Sequence, residues 1–244
     1  WTLFPYTTLF RSYCKSHGIA VTITPNANSL SVAEHAFTLM LTLAKNIIPV
    51  SNEYRTVGFA AKNHAPGIEM TGKTLGLIGM GRIGKHILHM CRDGLDMHVI
   101  VYDPYISEVP EGVEKVDDLS ELLRRADVVT LHCLLTDETR KLIDRERLAL
   151  MKPTALLINC ARGPIVDEAA LIEALENGRL AGAGLDVTDP EPVAPDSPLF
   201  KLPNVIVTPH YAPTTVESAT RVSKIAAENI NAVLAGQEPV GRIV

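Results

Sequence analysis

The chain has 244 residues, is 46% hydrophobic and 21% charged, and carries a net charge of −5. That is enough for one large or two ordinary domains of common globular composition. The acidic balance offers no nucleic-acid footprint, and no apolar run reaches the ~18 residues needed to span a membrane. Cys14, Cys91, Cys133 and Cys160 are scattered, with no CxxC pair and no metal spacing. They read as reduced thiols of a cytoplasmic protein.

The chain begins at Trp1, and its first ten residues hold Trp1, Phe4, Tyr6 and Phe10. Trp1–Ser12 has neither a basic n-region nor a small-residue cleavage site. It resembles a translated sequencing adapter and is expected to be a non-native leader (1–12) on a fragment lacking its own N-terminus. Gly18–Thr24 reads as a short strand and Pro25–Ser29 as a turn. Ser31 and Glu34 form a capping box. A helix is expected from Val32 to Ile48, with Phe37, Met40, Leu41, Ala44 and Ile48 at helical spacing. Its apolar residues extend round much of the circumference, which points to burial against a partner subunit or a second domain. Residues 50–70 carry no clear period.

Thr74–Gly84 (TLGLIGMGRIG) is an apolar strand, a glycine turn and a helix start. This is the unit that holds a dinucleotide pyrophosphate. Gly79 allows the turn, Gly81 lets phosphates approach the backbone, and Gly84 lets helix and strand pack closely. The helix offers free N–H groups and a positive dipole end. It is expected over Arg82–Asp93, stopped by Gly94. The next strand, Met97–Tyr102, ends at Asp103, 19 residues beyond Gly84. A carboxylate near that ~20-residue spacing binds ribose hydroxyls and repels a 2′-phosphate, so NAD is the expected cofactor.

After a loop, a helix is expected at Leu119–Arg125, then a strand at Asp127–His132. Asp144 caps a helix over Arg145–Leu150. The strand Ala155–Asn159 follows, and then Asp167 caps Glu168–Asn177. Strands at Ala181–Val187 and Val205–Thr208 precede a last helix from Thr215 to Leu234. Apolar strands alternating with amphipathic helices predict an α/β fold, a doubly wound parallel sheet covered on both faces. Ligands of such a sheet bind at the carboxyl ends of its strands. Arg162, Glu191 and His210 all follow strand ends. Imidazole exchanges protons near neutral pH. A neighbouring carboxylate fixes the ring and favours its charged form, and an Arg fork suits a substrate carboxylate. The set suits hydride transfer between a nicotinamide and a 2-hydroxy or 2-keto acid.

The motifs Asn26–His35 (NANSLSVAEH), Gly72–Gly84 (GKTLGLIGMGRIG), Asn159–Asp167 (NCARGPIVD), Leu185–Pro192 (LDVTDPEP) and Thr208–His210 (TPH) stand in the order of a known family. In them the chain resembles the D-isomer-specific 2-hydroxyacid dehydrogenases over roughly residues 18–240. The resemblance implies an NAD-dependent oxidoreductase of the phosphoglycerate or hydroxypyruvate/glyoxylate type. Arg162 would bind substrate, His210 would act as acid–base, and Glu191 would pair with His210. Cofactor contacts would fall on Arg82, Ile83, Asp103, Cys133, Cys160, Ala161 and Asp186, beside the glycines Gly79, Gly81 and Gly84. The resemblance also implies a Rossmann NAD-binding domain at 28–211. Remnants of a smaller flavodoxin-like substrate domain would lie at 13–27 and 212–244. The helix from Val32 resembles the element through which members form homodimers. Leu134 stands where the family has Pro, and His210–Pro213 replaces the common His-x-Gly-Ala. Three other readings remain at this point: an NAD(H)-binding sensor or corepressor on the same scaffold, another Rossmann enzyme, and an inactive truncated fragment. The expected partners are a small 2-hydroxy or 2-keto acid and a second copy of the chain, with no nucleic acid and no membrane.

Overall fold

The computed structural model describes residues 4–63 and 66–244. Residues 1–3 of the expected leader, and residues 64 and 65, lie outside the described residues. From Phe4 the leader is helical: α1 spans Phe4–Ser16.

Two compact units divide the chain. One is Val32–Ala212. The other runs to Ser31 and resumes at Pro213–Val244. In the smaller unit, the segment expected as a strand at Gly18–Thr24 forms only one antiparallel bridge, Thr22 to Arg242. Backbone hydrogen bonds from Ile23 to Gly241 (3.0 Å) and from Ile243 to Val21 (2.9 Å) flank it. A single crossing pair gives too few ladder bonds to extend a strand. The last helix, α8 (Val216–Leu234), is capped by Thr215, whose hydroxyl accepts from the Ser218 N–H.

The larger unit is built on seven parallel strands: β1 Thr74–Ile78, β2 His98–Tyr102, β3 Val113–Lys115, β4 Val128–Leu131, β5 Leu156–Asn159, β6 Gly182–Leu185 and β7 Val205–Val207. Their order is β3-β2-β1-β4-β5-β6-β7. The winding reverses between β1 and β4, where a crevice opens at the carboxyl edge. Alternation along each strand feeds two cores. Leu75, Leu77, Val99, Val101 and Ile158 face one side with α2 (Ser29–Ala44) and α4 (Arg82–Leu95). Ile78, Ile100, Val129 and Leu157 face the other with α5 (Leu119–Arg125) and α7 (Glu168–Glu176). A short helix, α6 (Arg145–Leu148), packs on α7. Asp118, Asp144 and Asp167 cap α5, α6 and α7 through their carboxylates.

Several expected boundaries move. The capping box at Ser31 is not used, because α2 starts at Ser29. The single helix to Ile48 is two: α2 ends at Ala44, Asn46 turns left-handed (φ 52°), and α3 runs over Ile47–Val57. A 3₁₀ turn, Gly58–Asn63, completes a stretch that showed no period. α2 buries Ala33, Ala36, Leu39 and Met40 against its own sheet. Gly94 does not stop α4; Asp96 does, in the left-handed conformation (φ 54°). The loop after Asp103 contains β3, too short and polar to stand out.

His132 follows β4 at the crevice. Its Nε2 lies 2.9 Å from Thr130 Oγ1, and its Nδ1 is buried with no hydrogen-bond partner among the described residues. Burial holds the ring neutral and pushes its pKa down to about 3. The unfolded chain protonates this ring below about 6.5. Stability from this group is therefore complete above that pH and is lost as the pH falls toward 3. Denaturant unfolding between pH 7 and 5 should show a loss of about 1.4 kcal/mol per pH unit below 6.5 attributable to this group. The loss should be absent in His132→Leu. An unchanged slope in that variant would refute the assignment.

Candidate active site

The first half of the site is the turn after β1. Gly79 adopts φ +90°, and a side chain there would begin 2.7 Å from the Cys133 backbone nitrogen. A side chain at Gly84 would collide with the Gly79 carbonyl. Nothing lies within 4 Å of where a side chain at Gly81 would begin, so the space before α4 is open. Arg82 and Ile83 open the helix, Arg82 exposed and Ile83 half-buried. Asp103 stands at the end of β2. Its Oδ2 accepts from the Met80 N–H (2.9 Å) and its Oδ1 from the Tyr105 N–H (3.0 Å). Each oxygen keeps a second lone pair for a ligand hydroxyl. An open glycine cradle, a helix N-terminus and a fixed carboxylate fit a dinucleotide.

The second half comes from the ends of β5, β6 and β7. Asn159 is buried; its Oδ1 accepts from the Ala161 N–H and its Nδ2 donates to the Arg162 carbonyl, both at 3.0 Å. One side chain thus shapes the Cys160–Arg162 turn. Arg162 is exposed, with Nη1 donating to the Ala161 carbonyl at 2.6 Å. A side chain at Gly163 would overlap the Thr188 carbonyl, so the Arg162 turn sits directly on the loop after β6. Glu168 secures that loop by accepting from the Asp189 N–H (2.9 Å). Burial raises the pKa of its carboxyl despite that bond.

Glu191 lies on the same loop, and its Oε1 meets His210 Nδ1 at 2.6 Å. A carboxylate only accepts, so Nδ1 carries a proton and Nε2 is the nitrogen left to exchange one. His210 itself has φ +53°. A left-handed non-glycine residue costs about 1–3 kcal/mol and persists where its surroundings over-determine it. Here Asp186 does so. Its carboxylate is almost fully buried and accepts from the Thr208 hydroxyl (2.6 Å), the Tyr211 N–H (2.7 Å) and the Ala212 N–H (2.9 Å). Its backbone carbonyl accepts from the His210 N–H (2.8 Å).

The expected site residues therefore gather at one sheet edge, in two groups: Gly79–Gly84 with Asp103 and Cys133, and Cys160–Arg162 with Asp186, Glu191 and His210. Burial pushes the Cys133 thiol up to about 11 and the Cys160 thiol higher still. Both line the site as neutral thiols, not as nucleophiles. Asn159, Gly163 and Glu168 went unnoticed as positioning residues. Asn159 had a signal in sequence, a lone amide ending an otherwise apolar strand. Glu168 had none, because its partner is a backbone amide 21 residues away. Among the described residues no cluster of three His, Cys, Asp or Glu could hold a metal ion, and no helix is long and apolar enough to cross a membrane.

Residues 37–212 match the family model of the D-isomer specific 2-hydroxyacid dehydrogenase, NAD binding domain. The chain is 48% identical over 223 residues to D-3-phosphoglycerate dehydrogenase of Methanocaldococcus jannaschii, covering 90% of this chain and 42% of that protein. It is 40% identical over 228 residues to glyoxylate reductase of Korarchaeum cryptofilum, covering 91% and 68%. The crystal structure of the TT0316 protein from Thermus thermophilus superposes with a TM-score of 0.87 at 41% identity, over 95% of this chain and 73% of that one. The chain thus spans about two fifths of the length of the phosphoglycerate dehydrogenase it matches. The glycine cradle, the doubly wound parallel sheet and the match over residues 37–212 make this chain a member of the D-isomer specific 2-hydroxyacid dehydrogenase family, carrying its NAD-binding domain.

Proposed function

We propose that the protein interconverts a D-2-hydroxy acid and its 2-keto acid. The observation that carries this is the 2.6 Å His210–Glu191 pair, held at the strand edge beside the Arg162 turn. When bound, NAD supplies the hydride acceptor and NADH the donor. Arg162 binds the substrate carboxylate through its guanidinium fork and polarises the adjacent carbonyl. His210 Nε2 gives a proton to the carbonyl oxygen on reduction and takes it back on oxidation. Glu191 holds the ring and compensates the charge that forms on it. Gly79, Gly81, Arg82, Ile83 and Gly84 cradle the pyrophosphate, and Asp103 takes the ribose hydroxyls. Cys133, Cys160, Ala161 and Asp186 border the cofactor. On this reading residues 28–211 are the cofactor domain, and 13–27 and 212–244 belong to the substrate domain. The scattered, unpaired thiols support a cytoplasmic setting.

We further propose a homodimer formed through α3 and the turn that follows, in place of the helix from Val32. α3 buries none of its residues. Ile47, Tyr54 and Phe59 are 54%, 59% and 73% exposed around an open apolar cleft of about 480 Å³. Apolar side chains gathered on one exposed helix face suit contact with a second copy of the chain.

Three measurements test these assignments. Glyoxylate, hydroxypyruvate and 3-phosphohydroxypyruvate should be screened for NADH oxidation. His210→Gln should lower kcat ~10²–10⁴-fold, and Arg162→Lys should raise KM for the keto acid by about tenfold. A chain that binds NADH but turns over none of the three refutes the reading. Calorimetry should find NADH bound roughly tenfold or more tighter than NADPH, with Asp103→Ser closing that gap; equal affinities in the wild type would reject the role of Asp103. Sedimentation should give a dimer that Tyr54→Glu/Phe59→Asp converts to monomer with its NADH affinity kept. A wild-type monomer, or a variant that still dimerises, excludes this interface.

A further inference from the structure

The turn that carries His210 is reached from an element the reaction does not use. His35 lies on α2, 173 residues before Thr208 in sequence, yet its Nε2 is 3.0 Å from Thr208 Oγ1 and 3.5 Å from Asp186 Oδ1. Its ring also meets the Tyr211 ring edge-on, at 6.5 Å between centroids. The hydrogen-bond arithmetic gives each atom a direction. The Thr208 hydroxyl has one proton, and that proton goes to Asp186 at 2.6 Å. Thr208 Oγ1 therefore accepts from His35, and Nε2 is the protonated ring nitrogen. A chain of donors runs from His35 through Thr208 to Asp186, whose two oxygens anchor the backbone N–H groups of Tyr211 and Ala212, while its carbonyl anchors that of His210.

We infer that His35 is a positioning residue for His210, acting through Thr208 and Asp186. This rests on the acid–base role proposed for His210 above. Asp186 has almost no access to water, so its orientation is set by the donors around it and not by solvent. His35 is itself largely covered, with only 18% of its side chain exposed, and it fixes the Thr208 hydroxyl as a donor toward Asp186. Without that donor, Thr208 Oγ1 loses the partner that orients it. The Asp186 carboxylate can then rotate, and the left-handed turn loses part of what holds it. His210 Nδ1 then no longer stays on Glu191. No atom of His35 touches substrate or cofactor in this scheme. Its effect is on where the His210 ring stands, and a shift near 1 Å at such a ring costs on the order of 10²-fold in rate.

The experiment uses the full chain with ¹⁵N-labelled histidine rings, His210 being assigned by its loss in His210→Gln. In the wild type His210 should show one ring form, protonated at Nδ1. His35→Ala and Thr208→Val should each move or broaden the His210 signals toward those of Glu191→Gln. His35→Gln, which keeps a side-chain donor, should restore them. ADP-ribose affinity, which reports the glycine cradle and Asp103, should stay within about twofold in every variant. With a 2-keto acid, kcat should fall at least about tenfold in His35→Ala while KM for NADH changes little. If His35→Ala fails to bind ADP-ribose, Thr208→Val carries the test. Unchanged His210 signals in Thr208→Val overturn the proposal, as does a His35→Gln spectrum as perturbed as that of His35→Ala. A wild-type chain without turnover would remove the acid–base role of His210, whereas the ring spectra would still decide whether His35 positions it.

Discussion

All seven strands run the same way, and that constraint organises the rest of the molecule. A parallel pair cannot be closed by a tight turn, so the chain must recross a face of the sheet after each strand, mostly as a helix. Both faces are then covered, and the strands become apolar on both sides, as the fully buried runs at β4, β5 and β6 illustrate. Loops gather at both edges of such a sheet, but the reversal of winding between β1 and β4 opens a crevice at the carboxyl ends. Every group assigned to chemistry lies on the loops that follow those ends.

What differs between those ends is how each loop is held. The turn after β1 is held by exclusion: Gly79 and Gly84 are places where any side chain would strike backbone. The Arg162 turn is held by one buried amide, Asn159, and by the contact of Gly163 with the loop that carries Glu191. The His210 turn is held by a buried carboxylate whose two oxygens both accept from hydroxyl or backbone donors. A desolvated carboxylate is costly unless satisfied in this way, and that same cost makes the turn rigid. The left-handed conformation of His210 shows that the constraint exceeds the local preference of the backbone. Cys133 and Cys160, neutral by burial, add shape to the site without adding reactivity.

Much of this was legible in the chain. Helical patterning and continuous apolar runs located α5 to the residue and most strands to within one or two, because their burial is nearly complete and the helix caps are Asp side chains acting locally. The errors have physical causes. The α2–α3 break falls at a left-handed Asn46, a weaker stop than glycine, and Pro49 sits in the first turn of α3, where a proline does not end a helix. α3 carries no buried stripe, so no period could reveal it. The segment at Gly18–Thr24 has strand-like residues, but a strand needs a partner of equal length, and Arg242 offers a single bridge.

The order of apolar runs, caps and glycines in the sequence determined the doubly wound sheet, the dinucleotide turn and the candidacy of Arg162, Glu191 and His210, because each depends on neighbours within about 20 residues. The resemblance implied that Glu191 pairs with His210; only the tertiary structure decided that they meet through Oε1 and Nδ1 at 2.6 Å, that Gly163 seats one loop on another, and that His35 reaches Thr208 and Asp186. Those contacts join residues far apart in the chain, and nothing local encodes a distance that exists only once the sheet has closed its strand ends onto one edge.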